Sequence, residues 1–365
     1  MTSDSPDVAR ADTDPPAAPP EWAWAKPVAA PQWRETPPLE FHELMRGAPR
    51  YRWWKPLLAL VLAALYYFTL STVYGLAILL PYMMLTGDGL DAPDALLELA
   101  LPDTQRPVSI LLTLGSVALM IPAAVLAMLS VGLTPAKRLW SVALRIRWRW
   151  IGRTIVPALV SLIAMNVVGI ALEFAVQPGA AQEAAAQPAE YNLQFALISM
   201  LLVLLLVPVQ ATAEELVYRG MFMQVLGGWL GGVRGAGRLA SALRGPWIPI
   251  VLPAILFGFS HIYDIWGWAS VVALAVVAGW LSWRTGGLEA AITMHVLNNL
   301  IAFGFLALAF DGETGQTSSG GGLGTLIGSI AGLALYSWWV DRDFRRTDGM
   351  RTRIDLVEAR RGMSA

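Results

Sequence analysis

Cysteine is absent from this 365-residue chain, histidine occurs three times, and charged residues make up only 15% of it. Without cysteine there is no disulfide framework, no thiol nucleophile and no thiolate metal site. So few charges cannot cover a water-soluble protein of this length, because soluble domains carry about 25% charged residues. The formal net charge is −1, so the global basic field that draws a protein to nucleic acid is missing too. What is plentiful is apolar sequence, at 56%. The composition reads as a polytopic helical membrane protein with the lipid bilayer as its first partner.

The first fifty residues hold ten of the 24 prolines, Trp22, Trp24 and Trp33, and no long apolar run. Such sequence buries too little apolar area to offset its ordering entropy, so residues 1–50 are expected to form a disordered, Pro-rich cytoplasmic tail, with His42 a bystander in it. A helix needs about 20 apolar residues to span a bilayer. Runs at 57–85, 108–133, 151–176, 193–213 (continuing to about 226), 247–262, 268–283, 288–310 and 323–340 meet or approach this. They predict an all-α bundle of about eight transmembrane helices over 51–345, followed by a cytoplasmic tail at 346–365. The fifth and sixth runs are short and could instead form one bent hairpin. Arg and Lys concentrate in alternate connections: Arg46 to Lys55, Lys137 to Arg153, Arg234 to Arg244, Arg284, and Arg342 to Arg346. The intervening connections carry Asp88, Asp91, Asp94, Glu98, Asp103, Glu183, Glu190, Asp264, Asp311 and Glu313 instead. Basic loops stay cytoplasmic, so eight spans with both termini inside satisfy every loop; in a prokaryote this is the plasma membrane.

Ionisable groups inside a bilayer cost a few kcal/mol each, which makes them functional candidates. Three segments qualify. In Ala213-Glu214-Glu215-Leu216-Val217-Tyr218-Arg219-Gly220, Glu215 and Arg219 are i, i+4 neighbours able to pair. Glu214 points about 100° away and is left available. The competing reading is a solvated helix end with Arg219 snorkelling outward. In the second segment, Phe257 and His261 share a face on a run broken by Pro249 and Pro253. In the third, His295 and Asn299 share a face, while Asn298 points elsewhere and suits interhelical packing. At 1.5 Å per residue, Glu214, His261 and His295 lie roughly 20, 21 and 12 Å from the cytoplasmic ends of their helices. Three helices can therefore bring them to one intramembrane layer.

No serine triad and no H-E-x-x-H zinc motif is present. The residues suit amide hydrolysis by water: Glu214, helped by His261, as the base, and His295 and Asn299 as donors to the oxyanion. Zn²⁺ held by Glu214, His261 and His295 is the alternative. A proton-coupled transporter would want the same groups.

The three motifs, E-E-x-x-x-R, F-x-x-x-H and H-x-x-x-N in order on successive spans, resemble those of the CPBP family. That family comprises membrane-embedded CAAX prenyl endopeptidases and bacteriocin-processing or immunity proteins. The resemblance covers roughly residues 193–310. It implies an endopeptidase with a cytoplasm-facing cavity, acting on a peptide or membrane protein at the cytoplasmic leaflet. It makes Glu214 the water-activating base, His261 its partner, His295 and Asn299 the oxyanion stabilisers, and Glu215, Arg219 and Phe257 supporting residues. The family has been described both with and without metal; the metal-free form is the expectation here. A catalytically silent, immunity-type protein is a further alternative.

Overall fold

A computed structural model describes residues 32–87, 99–176, 191–310, 312–347 and 349–358. Among these, seven helices are long and apolar enough to cross a membrane, and a bent pair raises the number to eight if it counts as one span. The first crossing is α1 (Lys55–Thr86), opened by Pro56 in its first turn and closed by Gly87 in the left-handed conformation at φ 78°, the usual proline start and glycine stop. The second is α2 (Pro107–Ala118) running into α3 (Met120–Ser130), and the third is α4 (Trp148–Val176).

The fourth crossing is unusually long. Helix α5 (Leu193–Glu215) starts on Asn192, whose side chain accepts from the backbone N–H of Gln194 and Phe195. It continues through a π-helical turn, Leu216–Phe222, into α6 (Met223–Leu230). These 38 residues exceed the roughly 20 needed to span the hydrocarbon, so the last part projects among the connecting segments at one end of the bundle.

The fifth crossing departs from expectation. Short α7 (Arg238–Arg244) meets α8 (Trp247–Phe259) at a 52° bend, and α8 stops at Phe259 rather than reaching 262. The chain restarts where Asp264 caps α9 (Ile265–Thr285) through Trp266 N and Gly267 N. Two antiparallel helices result. Helices α10 (Glu289–Ala307) and α11 (Leu323–Arg345) complete the bundle. The packing of α4 on α11 relies on small residues: a side chain at Gly328 would collide with the backbone of Met165 and Gly169, the tight approach that glycine permits between membrane helices. Large apolar side chains such as Leu65, Phe68, Leu201 and Leu205 face outward, the inverse of a soluble protein and the pattern lipid requires.

The tail expectation for 1–50 needs correction within its described part; residues 1–31 lie outside the described residues. Strand β1 (Trp33–Glu35) pairs antiparallel with β4 (Leu356–Glu358), and β2 (Leu39–Glu40) with β3 (Thr352–Arg353). Between β2 and α1, a 3₁₀ helix over Phe41–Gly47 buries Phe41, His42, Leu44 and Met45. His42 is a packed residue of this segment: its backbone carbonyl lies against Gly227 of α6, where any side chain would strike it. Burial pushes the His42 imidazole below its ordinary titration range. Arg138 ties these pieces together, donating to Asp355 Oδ2 (2.6 Å) and to Gly47 O (2.7 Å). Residues 352–358 are likewise part of the folded body. The proline count averaged over fifty residues concealed a short apolar cluster, Leu39, Phe41, Leu44 and Met45, that packs on the bundle.

The two ends of the bundle differ in charge. At one end Arg46 donates to Gly231 O (2.6 Å), Arg147 to Glu289 and Thr285 O, and Arg284 pairs with Asp341 (2.6 Å). At the other end the connections are joined by backbone bonds, Thr104 N to Thr314 O, Gln316 N to Pro102 O and Asp264 N to Ser318 O. Arg106 is the one basic residue among the described residues there.

Candidate active site

The polar site is built mainly from α5, its π-helical continuation and α10. Glu215 is fully buried, with Arg219 Nη1 3.1 Å from its Oε1. Arg219 is only 2% exposed, which excludes a snorkelling arginine. A π-turn immediately follows the glutamates; such bulges interrupt helices at functional sites more often than elsewhere.

His295 faces both carboxylates. Its Nδ1 donates to Glu215 Oε1 (2.7 Å), and its Nε2 lies 3.4 Å from Glu214 Oε2. Glu214 Oε2 also accepts from Gln210 Nε2 at 2.6 Å, and Gln210 Oε1 accepts from Asn299 Nδ2 at 3.2 Å. A continuous polar line therefore runs Asn299–Gln210–Glu214–His295–Glu215–Arg219. Two carboxylates and one guanidinium leave a net negative charge in an apolar surround. Such buried charge is tolerated only where it is paired and hydrogen-bonded, as Glu215 is by Arg219 and His295.

Phe257 is the wall on which the rings are mounted. Arg219 Cζ lies 4.4 Å over its centroid, and it meets His261, Tyr218 and His295 edge-on at 4.7, 5.0 and 5.7 Å. Its expected supporting role thus has a physical form: it turns a cation and two imidazoles toward one region. Tyr263 stacks on the outer side of His261 at 5.9 Å.

The sequence-based candidates are all brought together, in a different arrangement from the one expected. His261 was to sit beside Glu214. Its Nδ1 instead donates to Phe257 O at 2.8 Å, because α8 has just ended and the ring folds back over the last turn. His261 and Glu214 face each other only across a cavity of about 370 Å³, lined also by Gln210, Asn299, Thr113 and Ser260. His295, expected beside Asn299 in the oxyanion site, lies behind Glu214 between the two carboxylates. Asn298 turns away as expected, toward a separate small cavity against α4 and α11. Gln210 was missed by sequence reasoning. Its signal was present: within an apolar run it stands four residues before Glu214, on the same helix face.

In this arrangement the acidic and imidazole groups are engaged with protein partners and are not gathered on one point. Among the described residues no three His, Asp or Glu side chains converge on a metal position. Both His295 nitrogens face carboxylates, and one His261 nitrogen is held by a carbonyl.

The cavity's position bears on access. Its lining runs from Glu214 to Leu101, Tyr263 and Gln316, which belong to the end opposite the arginine-rich connections.

Fold and site together define a multi-pass integral membrane protein with an ionisable site walled into its helical bundle. Residues 194–301 match the family model for type II CAAX prenyl endopeptidase Rce1-like proteins, a stretch that contains every residue of the polar line from Gln210 to Asn299. The match supports a CPBP-family protease and, with it, a CAAX-protease-like intramembrane endopeptidase. No curated protein and no solved structure gives a significant match to the chain.

Proposed function

We propose that this protein is a metal-free intramembrane endopeptidase in which Glu214 activates the attacking water. The observation that carries this reading is the single carboxylate at the cavity edge. Glu214 is oriented by Gln210 at 2.6 Å and backed by His295 at 3.4 Å, while Glu215 is occupied by Arg219.

A water between Glu214 and His261 would lose a proton to Glu214 as its oxygen attacks the scissile carbonyl carbon. His261 suits the other side of that water. With Nδ1–H committed to Phe257 O, its Nε2 in the neutral ring is an acceptor turned away from the helix. Asn299 spends one amide hydrogen on Gln210 and keeps the second for the oxyanion. Collapse of the tetrahedral intermediate breaks the C–N bond. The proton held by Glu214 passes to the leaving amine, giving a carboxylic acid and an amine and returning Glu214 to its carboxylate form. His295 is a positioning residue in this scheme: anchored by Glu215, it fixes Glu214 and shares its proton, as a buried acid anchors the imidazole in other hydrolytic relays. The substrate is a peptide segment of a membrane-associated protein.

The test is Glu214→Gln, an isosteric change that keeps an acceptor for Gln210 and removes the base. Purified in detergent, it should cleave a peptide library about 10²–10⁴-fold more slowly than wild type, the usual worth of a general base, with unchanged thermal unfolding. Wild-type turnover by a folded Glu214→Gln variant would overturn the assignment.

A further inference from the structure

A larger cavity, of about 560 Å³, lies at the arginine-rich end of the bundle, away from the polar line. Its walls come from pieces of the chain remote in sequence: β1 with Arg34, the turn before α1 with Arg52 and Trp53, the end of α6 and the residues beyond it with Trp229 and Arg234, and β4. Arg46 completes the wall, fixed by Glu43 (3.2 Å) and Gly231 O (2.6 Å). Arg52 spends one N–H on Tyr51 O (3.2 Å). Among the described residues Arg34, Arg52 and Arg234 form no ion pair, and all three are exposed. The acids lining the cavity are Glu35 and Glu358, so positive charge predominates. Guanidinium forks gathered round one hollow match a phosphate, whose oxygens accept their N–H groups in pairs. A volume of this size suits a small ligand or a headgroup.

The surroundings set its depth. Trp53 and Trp54 stand immediately ahead of α1 and are 61% and 44% exposed. Trp229 lies against Trp53, with ring centroids 6.4 Å apart and its indole N–H on Trp53 O at 2.7 Å. Tryptophan collects at the membrane–water boundary, which puts the cavity at headgroup level. From Trp54, the side chains of Leu58, Val61, Leu65 and Phe68 follow at helical spacing along α1, and all are exposed. An apolar stripe therefore leads from the cavity into the bilayer.

We propose that this cavity binds the phosphate headgroup of an anionic phospholipid, with an acyl chain lying along that stripe. Basic pockets at the ends of membrane helices take anionic headgroups in this way. Free phosphate would satisfy the arginines alone; the tryptophans and the stripe are what assign the ligand to the lipid. The site is independent of the chemistry at Glu214.

Native mass spectrometry of the full-length chain in detergent gives the affinity for the first lipid bound. Wild type should hold dioleoyl phosphatidylglycerol at least about tenfold more tightly than dioleoyl phosphatidylcholine, since each basic residue near an anionic headgroup contributes about fivefold in affinity. Replacing Arg34, Arg52 and Arg234 together (Arg34→Gln, Arg52→Gln, Arg234→Gln) should weaken phosphatidylglycerol binding by about 100-fold on the same scale. The control removes equal charge from exposed positions outside the cavity, Arg149→Gln, Arg153→Gln and Arg238→Gln, and should weaken it by less than about fivefold. Equal losses in the two triple variants, or no preference between the lipids, overturn the proposal. Displacement of the lipid by inorganic phosphate assigns the cavity to a soluble anion, and displacement by an equal concentration of hexaglutamate assigns it to an acidic peptide; either result overturns it too. The comparison of lipids and competitors on wild type needs no variant, so a triple variant that fails to fold leaves the test decisive.

Discussion

Replacing Gln210 tests the site more sharply than replacing Glu214, because Gln210 has no role in the chemistry itself. Its amide nitrogen donates to Glu214 at 2.6 Å and its oxygen accepts from Asn299 at 3.2 Å, so one side chain sets both the base and the oxyanion donor. Gln210→Met keeps a similar volume and removes both bonds. A hydrogen bond to a charged group contributes about 1.5–3 kcal/mol, and about 1.4 kcal/mol is a factor of ten in rate. If the bond matters chiefly for aligning Glu214 in the transition state, kcat should fall by about 10- to 100-fold. KM should hold within about twofold, since an interaction realised only in the transition state leaves ground-state binding alone. The assay is steady-state cleavage of a fluorogenic peptide in detergent, with thermal unfolding run in parallel. Gln210→Glu supplies a second readout. It sets two carboxylates in contact, which cannot both ionise easily, so its pH–rate profile should be displaced in a way that lost packing alone would not produce. A folded Gln210→Met variant with wild-type kcat would refute the view that this amide orients the base.

Arg219→Met should destabilise the protein by about 3–5 kcal/mol, the usual result of leaving a buried charge unpaired; Arg219→Met combined with Glu215→Gln should recover part of this in thermal melts. Stripping divalent metals with a chelator should leave turnover unchanged, and activity lost on stripping and restored by Zn²⁺ would refute the metal-free scheme. His42 predicts a pH effect. Burial holds its imidazole below the ordinary value of 6.5, so at mildly acidic pH the unfolded chain binds the proton more readily than the folded one. Stability should therefore be fully present above about pH 6.5 and decline as the pH falls through the folded-state value. The unfolding temperature of wild type should drop more between pH 8 and pH 5 than that of His42→Gln.

What could be read from the sequence were the features with helical periodicity behind them. The Glu215–Arg219 pair follows from spacing on any helix, and the shared depth of Glu214, His261 and His295 follows from counting residues along three spans. The exchange of partners between the two histidines could not be read. It depends on α8 ending at Phe259, which leaves His261 free to bond its own last turn, and on a ring orientation that places His295 between two carboxylates. Gln210 was hidden because a lone amide in an apolar run looks like packing until its neighbours are known. The folded segment at 32–50 was hidden by averaging, since four apolar residues do not move the composition of fifty. The direction of the cavity was beyond any one-dimensional reading, because it depends on which connections close over the bundle.

Strand β1 lies beside β4, with Trp33 opposite Glu358. That pairing has a practical consequence. A reporter fused ahead of residue 33 and another fused after residue 358 leave the body within a strand's width of each other, on the same face of the bilayer. Two halves of a split fluorescent protein attached at these points should reassemble on a single molecule, and would lose their signal when the β1–β4 clasp opens.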